Sequence, residues 1–245
     1  VVNNKFLLKR PVEASLRLTR DLTEFMFSDL GFAFETSNLP ITLDISDKGF
    51  LLPMEAHPLN SARIQHMILD LGKITALNQG NLGSINKLFK VKGKNTMPIW
   101  FAPFYMSMNG GKLFIDRTEI LVDGKYHICV WGSIDFRRKY VDLVIGLTAS
   151  SLKKTLGISG LPESYVLQVP LEGPFGHVDL KEGAVAAKIA LLIGGKSAPK
   201  NLFGGVLDIF NQVVNDQSDV PPPRRPYPWE MHTSMREKHR PILEL

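Results

Sequence analysis

Two overlapping Ser-x-x-Lys sequences are the part of this chain that comes closest to a catalytic motif. Ser150 is followed by Lys153, and Ser151 by Lys154, each one helical turn later. In penicillin-binding proteins and related β-lactamases, a lysine at this distance helps to activate a serine nucleophile. The Ser-Asp-Asn and Lys-Thr-Gly elements of those enzymes are absent from the sequence. We therefore interpret the serines as caps of a short helix and the lysines as solvated, and we predict that the chain is not an enzyme.

The histidines and the single cysteine do not form a metal-binding pattern. The six histidines are His57, His66, His127, His177, His232 and His239. They are not paired at ligand spacing on a predicted helix, so a zinc site would need carboxylates from distant segments. Cys129 excludes an internal disulfide and falls in a predicted strand, where we interpret it as a small hydrophobe rather than a reactive thiol. We predict neither a metal nor a cofactor.

A proline-rich segment near the C-terminus is the clearest candidate for binding a partner. Pro221-Pro222-Pro223 and Pro226-Tyr227-Pro228-Trp229 favour an extended, polyproline-like path. Between them, Pro223-Arg224-Arg225-Pro226 fits a Pro-x-x-Pro ligand pattern, although a stiff linker is the simpler interpretation. An aromatic residue such as Trp229 in a tail of this kind docks on its own domain or lies at a membrane or protein interface.

Composition indicates a folded chain that does not bind nucleic acid. Of the 245 residues, 44% are hydrophobic and 22% are charged, which is ordinary for a globular protein. The net charge is +5, and the basic residues are spread along the sequence rather than clustered. No run of about 18 apolar residues that could span a bilayer occurs. Because the sequence starts at Val1 without an initiator Met, we expect a processed chain or a fragment, whose anchor would lie upstream.

Alternating hydrophobic residues between Phe114 and Leu171 predict the strands around which the rest of the chain is organised. A period of two over this many residues is typical of a sheet with one apolar face. The basic sequence Arg137-Arg138-Lys139 suits a hairpin turn between two of these strands. The predicted apolar face consists of Ile128, Val130, Ile134 and Phe136 on the first strand and Val141, Leu143, Ile145 and Leu147 on the second.

Glycine-containing turns predict further antiparallel pairing. Asn109-Gly110-Gly111 and Asp123-Gly124 are strong hairpin signals on either side of a strand over residues 112–122. The segment from Pro98 to Met108 contains two prolines, which predict an edge strand or a strongly bent one. Gly72 is interpreted as a bulge in a β-rich stretch. Alternation also predicts strands over residues 12–19, 41–45 and 165–171.

Short helices are predicted between the strands, which makes the fold mainly β and α+β in class. Asp21 offers an N-cap with Glu24 three residues later, and Asp179 is expected to cap a helix further on. The composition changes from Gln217 onwards, and we place a boundary near residue 198. Residues 1–198 are then the β domain, and residues 199–245 are an appendage made of a helix and the proline-rich tail. The other predicted helices cover residues 82–89, 150–156 and 201–214.

The stretch from about Leu69 to Trp229 resembles the C-terminal part of bacterial AsmA-like proteins, the group that includes TamB. The most characteristic pattern is a strand, a glycine, a second strand and then the sequence x-Val-Pro-x-x-Gly. The sequence departs from the pattern at Gly173-Pro174-Phe175-Gly176, where Gly-Thr and a later proline are expected. The segments that carry the resemblance are Leu69-Asp70-Leu71-Gly72, Pro98-Ile99-Trp100-Phe101-Ala102-Pro103, Gly111 to Arg117, Trp131-Gly132-Ser133-Ile134-Asp135, Gly146-Leu147, Leu161-Pro162 to Tyr165, and Val169-Pro170-Leu171-Glu172-Gly173.

The resemblance implies a long, twisted antiparallel sheet that curls into an open apolar groove with short capping helices. It implies a protein anchored in the bacterial inner membrane that extends into the periplasm and conducts phospholipid, in lipid transport and outer-membrane biogenesis. The predicted apolar face would then line the groove and bind phospholipid acyl chains, each methylene contributing about 0.8 kcal/mol. The tail would contact a membrane surface or an envelope protein. The groove rim would be formed by Trp100, Phe101, Phe104 and Tyr105.

A sealed core would produce the same hydrophobic alternation as a groove. If the apolar face is a core, the alternative function is that of a β-scaffold adaptor. Such an adaptor would bind a partner protein through the proline-rich tail or through an exposed edge of the sheet. The two interpretations stay open at the level of the sequence.

Overall fold

The structure is a computed structural model that describes residues 4–35, 40–88, 95–197, 217 and 219–231. The boundary near residue 198 and the helix predicted over residues 201–214 lie outside the described residues. The helices are α1 (Arg20–Phe27), α2 (Gly80–Leu88), α3 (Ala149–Leu156) and α4 (Glu182–Ser197), with 3-10 turns at Ser28–Leu30 and Pro58–Asn60. The strands are β1 (Lys5–Phe6), β2 (Val12–Arg17), β3 (Pro40–Ile45), β4 (Leu52–Pro53), β5 (Arg63–Asp70), β6 (Lys73–Leu77), β7 (Thr96–Phe101), β8 (Phe104–Asn109), β9 (Lys112–Val122), β10 (Tyr126–Asp135), β11 (Tyr140–Thr148), β12 (Val166–Pro174) and β13 (Asp179–Leu180).

Eleven strands form one antiparallel sheet, so the prediction of a mainly β fold is confirmed. Nine of them follow the order β13-β12-β11-β10-β9-β8-β5-β3-β2, and β6 and β7 form a side branch that joins the sheet at β9. The sheet is open, with β2 and β13 at the two ends of the main path. The short strands β1 and β4 pair with each other in a separate two-stranded sheet.

The central hairpins lie where the turn sequences predict them. The turn between β8 and β9 contains Gly110 and Gly111, whose φ angles are +58° and +83°. The turn between β9 and β10 contains Asp123 and Gly124, with φ angles of +50° and +65°. Left-handed backbone at both central positions matches the right-handed twist of the flanking strands, which explains why these residue pairs specify hairpins.

Along β9 the sheet divides into two branches. We call the place of this division the fork. The first part of β9, Lys112–Ile115, pairs with β8, whereas Ile120–Val122 pairs with β7. The single bent strand predicted over residues 98–108 is thus two strands, separated by Ala102-Pro103. Pro103 has no backbone N–H to give to a ladder, so the chain leaves one branch and starts the other at this point. On the far side of β9, the pairing with β10 shifts register between Val130 and Gly132.

Three local predictions were wrong. Thr19, not Asp21, caps α1: its side chain accepts a hydrogen bond from the Leu22 amide at 3.2 Å, and Asp21 lies in the first turn, where a negative charge is also favourable. Asp179 lies in β13 rather than at a helix N-cap. Gly72, with a φ of +59°, lies in the turn that separates β5 from β6 and is not a bulge within one strand.

The main core lies between one face of the sheet and the helices. Leu82 of α2, Leu152 of α3 and Leu192 of α4 are each at most 2% exposed and belong to the same cluster as the inner residues of β7 and β9–β12. Fully burying one such side chain contributes about 1.5–3 kcal/mol, so the helices are held to the sheet mainly by their apolar faces.

Candidate functional site

A hydrophobic cavity of about 210 Å³ lies between the sheet and the segments that cover it. All of its lining residues are hydrophobic, and they come from the end of α1, the loop after it, α2, strand β5 with the turn that follows it, and strands β7 to β12. Such a cavity lacks the polar groups that would orient a polar substrate. On the covering side it is lined by Phe27, Leu30, Phe32, Phe34, Leu82 and Ile85.

Five of the eight residues of the predicted apolar face line this cavity, namely Ile128, Val130, Ile134, Leu143 and Ile145. The other three do not. Val141 and Leu147 are both 0% exposed and belong to the main core, but they do not line the cavity. Phe136 packs on a separate small cluster that contains Ile64 and Met108. Binding of acyl chains by the five cavity residues stays a prediction.

The predicted groove rim divides between the two faces of the sheet. Phe101 and Phe104 line the cavity, and their ring centroids are 5.7 Å apart. Trp100 and Tyr105 instead contact the proline-rich tail on the opposite face. The four residues therefore do not form one rim, because successive side chains of a strand point to opposite faces.

The cavity is closest to solvent at one end. Ile99, Val122 and Ile128 are buried, and they line the part formed by β7, the second half of β9 and the start of β10. The lining residues Met106, Leu113, Ile115, Val130 and Ile134 are half-buried, and they lie together on β8, the first half of β9 and the second half of β10. This gradient of exposure runs along the length of β9.

The opposite face of the sheet carries a buried charged cluster of Arg117, Glu119 and His127. The Arg117 Nε donates to Glu119 Oε1 at 2.6 Å, and the Glu119 side chain is only 1% exposed. The His127 Nε2 lies 2.5 Å from Glu119 Oε2. The imidazole thus lies beside the carboxylate that Arg117 also contacts.

Cys129 lies beside this cluster and is confirmed as a small buried residue. Its side chain is 0% exposed and packs with Trp131 and Val166. Burial raises the pKa of the Cys129 thiol to about 12, and the nearby negative charge of Glu119 acts in the same direction. A thiol with so high a pKa is protonated at neutral pH and is a poor nucleophile.

The proline-rich tail docks on its own domain, over the charged cluster. We call residues 217 and 219–231 the strap. The Gln217 side chain hydrogen-bonds both the N–H and the C=O of Val166, at 2.8 and 3.1 Å. The Arg117 Nη1 donates to the Pro221 carbonyl at 2.8 Å. The Trp229 ring lies 6.2 Å from the ring of Trp100, measured between centroids.

Both arginines of the Pro-x-x-Pro sequence are engaged within the chain. The Arg224 Nη2 lies 2.7 Å from Asp116 Oδ2, and its guanidinium lies 4.2 Å from the centroid of the Tyr105 ring. The Arg225 guanidinium lies 5.1 Å from the centroid of the Tyr227 ring. Burial raises the pKa of Tyr227, and the negative charge of Glu119 adds to this shift.

The Ser-x-x-Lys residues make structural hydrogen bonds. Thr148, not a serine, caps α3, and its hydroxyl accepts from the Ser151 amide at 3.4 Å. The Ser151 hydroxyl donates to the His127 carbonyl at 2.7 Å, while the Lys154 ammonium donates to the Lys125 carbonyl at 2.9 Å. Their polar atoms thus tie α3 to β10 and to the turn before it.

Comparison with protein-family models, curated proteins and solved structures found no match to this chain. Within the described residues, no helix combines the length and the apolar character that a membrane crossing requires. In the same part of the chain, His, Cys, Asp and Glu side chains do not come together in a group that could hold a metal ion.

Proposed function

We propose that this chain is a non-enzymatic lipid-handling protein whose hydrophobic cavity takes the acyl chains of phospholipids. The observation that supports this most directly is the lining of the cavity, which is hydrophobic throughout. A polar substrate would leave its hydrogen-bonding groups unpaired there, whereas each buried methylene of an acyl chain contributes about 0.8 kcal/mol.

An acyl chain would enter at the end where the lining residues are half-buried. In this proposal the face formed by β8, the first half of β9 and the second half of β10 acts as an open apolar groove that leads into the buried part of the cavity. Leu113, Ile115, Val130 and Ile134 are the lining residues on β9 and β10 at that end. The lipid headgroup would stay outside, because the cavity offers it no partners.

The wider role that we propose rests on the resemblance to AsmA-like proteins. The chain would be a region of an inner-membrane-anchored bacterial protein on the periplasmic side. It would conduct phospholipid through the cell envelope, in support of outer-membrane biogenesis. The open antiparallel sheet with short helices agrees with that family's fold as the resemblance implies it.

Native mass spectrometry of the purified chain, followed by solvent extraction and lipid analysis, tests the proposal. We expect co-purified phospholipid that Val130→Trp removes by filling the cavity, with the fold retained by circular dichroism. Val144→Trp is the matched control, because Val144 is also half-buried but lies with Trp131 and Val166 on the other face. A charge at Leu143 would be less informative, because that residue is only 4% exposed and its substitution could unfold the chain.

A lipid-free chain that binds no acyl chains would contradict this proposal and favour the adaptor function. The exposed end strand β2 supports the adaptor as the second candidate, because Val12 and Leu16 are 39% and 41% exposed there. An extended peptide could add to such an edge. Substituting Leu16 by Lys would then abolish partner binding without altering the cavity.

A further inference from the structure

At the fork, the ladder of β9 is interrupted on both of its sides. Strand β9 pairs with β8 as far as Ile115 and with β7 from Ile120 onwards. Between them, the Glu119 carbonyl accepts a hydrogen bond from the Ala102 amide at 2.9 Å. The pairing of β9 with β10 also shifts register at this level. A strand that loses ladder bonds on both sides at one level has little to stop its neighbours from separating there.

The strap binds at this weak point. Asp116 and Arg117 are consecutive in β9, yet both contact the strap, so the bulge turns both side chains to the same face. Asp116 pairs with Arg224, and Arg117 donates to the Pro221 carbonyl. The prolines of the strap cannot donate to a ladder, so side chains of β9 make the polar contacts that a neighbouring strand would otherwise make.

The strap also holds both branches of the fork. Trp229 packs on Trp100 at the end of β7, and Arg224 lies over Tyr105 at the start of β8. Each of these residues is adjacent in sequence to a phenylalanine that lines the cavity on the other face. Trp100 precedes Phe101, and Tyr105 follows Phe104. The strap therefore contacts, on the outer face, the sequence neighbours of both cavity-lining rings.

The strap is bound at the surface rather than enclosed. Cavities of about 750 and 810 Å³ flank it, lined in part by the strap itself. Its arginines and most of its prolines are exposed, whereas Tyr227 is 3% exposed and, with Trp229, covers His127. A few aromatic and ionic contacts, with the hydrogen bonds of Gln217 to Val166 and of Arg117 to Pro221, therefore hold it in place.

We propose that the strap is a latch that holds the β7 and β8 branches together across the fork. Docked, it keeps Phe101 and Phe104 against the cavity. Released, it lets the branches separate and opens a path between the cavity and the outer face of the sheet. The consequence for ligand access rests on the proposed lipid-handling function, whereas the mechanical role of the latch does not.

Hydrogen exchange of the full chain, followed by mass spectrometry, tests the latch. The double variant Trp229→Ala, Arg224→Ala removes one contact to each branch. We expect the Phe101 and Ala102 amides, which bond the Gly72 and Glu119 carbonyls at 2.9 Å, to exchange at least about tenfold faster. The Val166 amide, which donates to the Gln217 side chain of the strap at 2.8 Å, should also lose protection, and the Lys125 amide in the turn between β9 and β10 should not change. Arg138→Ala is the control, because its ion pair with Asp135 lies in a distant turn.

Two results would overturn the latch. In the first, the Val166 amide loses protection while the Phe101 and Ala102 amides keep theirs, so that the strap is released without effect on the fork. In the second, the Val166 amide keeps its protection, so that the named contacts do not hold the strap.

A fluorescent fatty acid, 11-(dansylamino)undecanoic acid, reports separately on the cavity. If the latch controls access, the double variant should take up this probe several-fold faster than the unaltered chain. Equal uptake rates, with the probe bound in both chains, would contradict control of access. If neither chain binds the probe, the lipid-handling function fails, and hydrogen exchange alone decides whether the strap holds the fork.

Discussion

The two faces of strand β10 have opposite surroundings, although they belong to the same ten residues. Ile128 and Val130 point into a hydrophobic cavity covered by α1 and α2. His127 points to the other face, where a buried carboxylate and a strap from about 100 positions later in the chain complete its surroundings. The inner face is held by burial, which has no preferred direction, whereas the charged cluster of Arg117, Glu119 and His127 on the outer face depends on a few directional contacts. The inner face should therefore tolerate substitution of similar volume, and the charged cluster should not.

The reactivity of Cys129 tests whether the outer face is as dry as the inner one. With a pKa raised from 9.0 to about 12, the folded chain should contain about a thousandfold less thiolate at pH 8 than the unfolded chain. Iodoacetamide should therefore label Cys129 readily in urea and hardly at all in the native protein. Rapid native labelling would show that water reaches the cluster beneath the strap.

The same shift has a consequence for stability at high pH. Between pH 9 and about 12, the folded chain keeps the thiol proton that the unfolded chain loses. The stability that the raised pKa of Cys129 contributes is therefore complete below pH 9 and is lost as the pH rises through about 12. In the Cys129→Ala variant, the free energy of unfolding measured in urea should change less with pH within this window than it does in the unaltered chain.

Among substitutions on the outer face, the removal of Arg117 should have the largest effect on stability. Arg117→Ala leaves the Glu119 carboxylate, which is 1% exposed, without its shortest hydrogen bond and without the link to Pro221. Breaking a buried ion pair from one side costs about 3–5 kcal/mol, measurable by urea unfolding. Arg138→Ala, with an 84% exposed side chain, should stay within about 0.5 kcal/mol of the parent. A loss below about 1 kcal/mol for Arg117→Ala would mean that solvent replaces its contacts.

Truncations on the inner face should separate core from cavity. Leu147→Ala removes a fully buried side chain and should lower the free energy of unfolding by about 2–5 kcal/mol. Val130→Ala removes a half-buried side chain that lines the cavity, and it should cost about 1 kcal/mol or less. Equal losses at the two positions, measured by urea unfolding, would indicate that the cavity end is packed as tightly as the core.

The exposed ion pair of the strap should contribute least. The side chains of Arg224 and Asp116 are 58% and 53% exposed. A double-mutant cycle of Arg224→Ala and Asp116→Ala should therefore give a coupling energy of about 0.2–1 kcal/mol, falling at high salt. A larger coupling that persists in salt would place the pair in a less solvated environment than its exposure indicates.

The hairpins from β8 to β11 could be predicted because their signals are local. Asn109-Gly110-Gly111 and Asp123-Gly124 provide the left-handed backbone that tight turns need, and the flanking alternation determines which side chains share a face. The same locality explains why five of the eight predicted face residues do line the cavity. The other three depart from the prediction because alternation identifies the buried face of a strand but not what covers it.

Other features depend on contacts between distant segments. The fork at Ala102-Pro103 requires β6 to pair with β7, and β5 with β8, which no local pattern in the sequence indicates. The charged cluster is similar, because Arg117 and Glu119 lie in a run of four polar residues, Asp116-Arg117-Thr118-Glu119, which by itself indicates a solvated segment. The charged cluster is buried only because polar and aromatic residues of the tail cover it.

The sequence by itself determined a mainly β chain with antiparallel hairpins, one apolar face and a stiff, proline-rich tail, because periodicity, turn residues and proline act over a few neighbouring positions. The tertiary structure alone decided where the sheet divides, which part of the apolar face lines a cavity, and where the tail docks. Arg117 and Pro221, which join the sheet to the strap, are 104 positions apart. Such contacts depend on the shape and charge of assembled surfaces, and these exist only once the strands have paired.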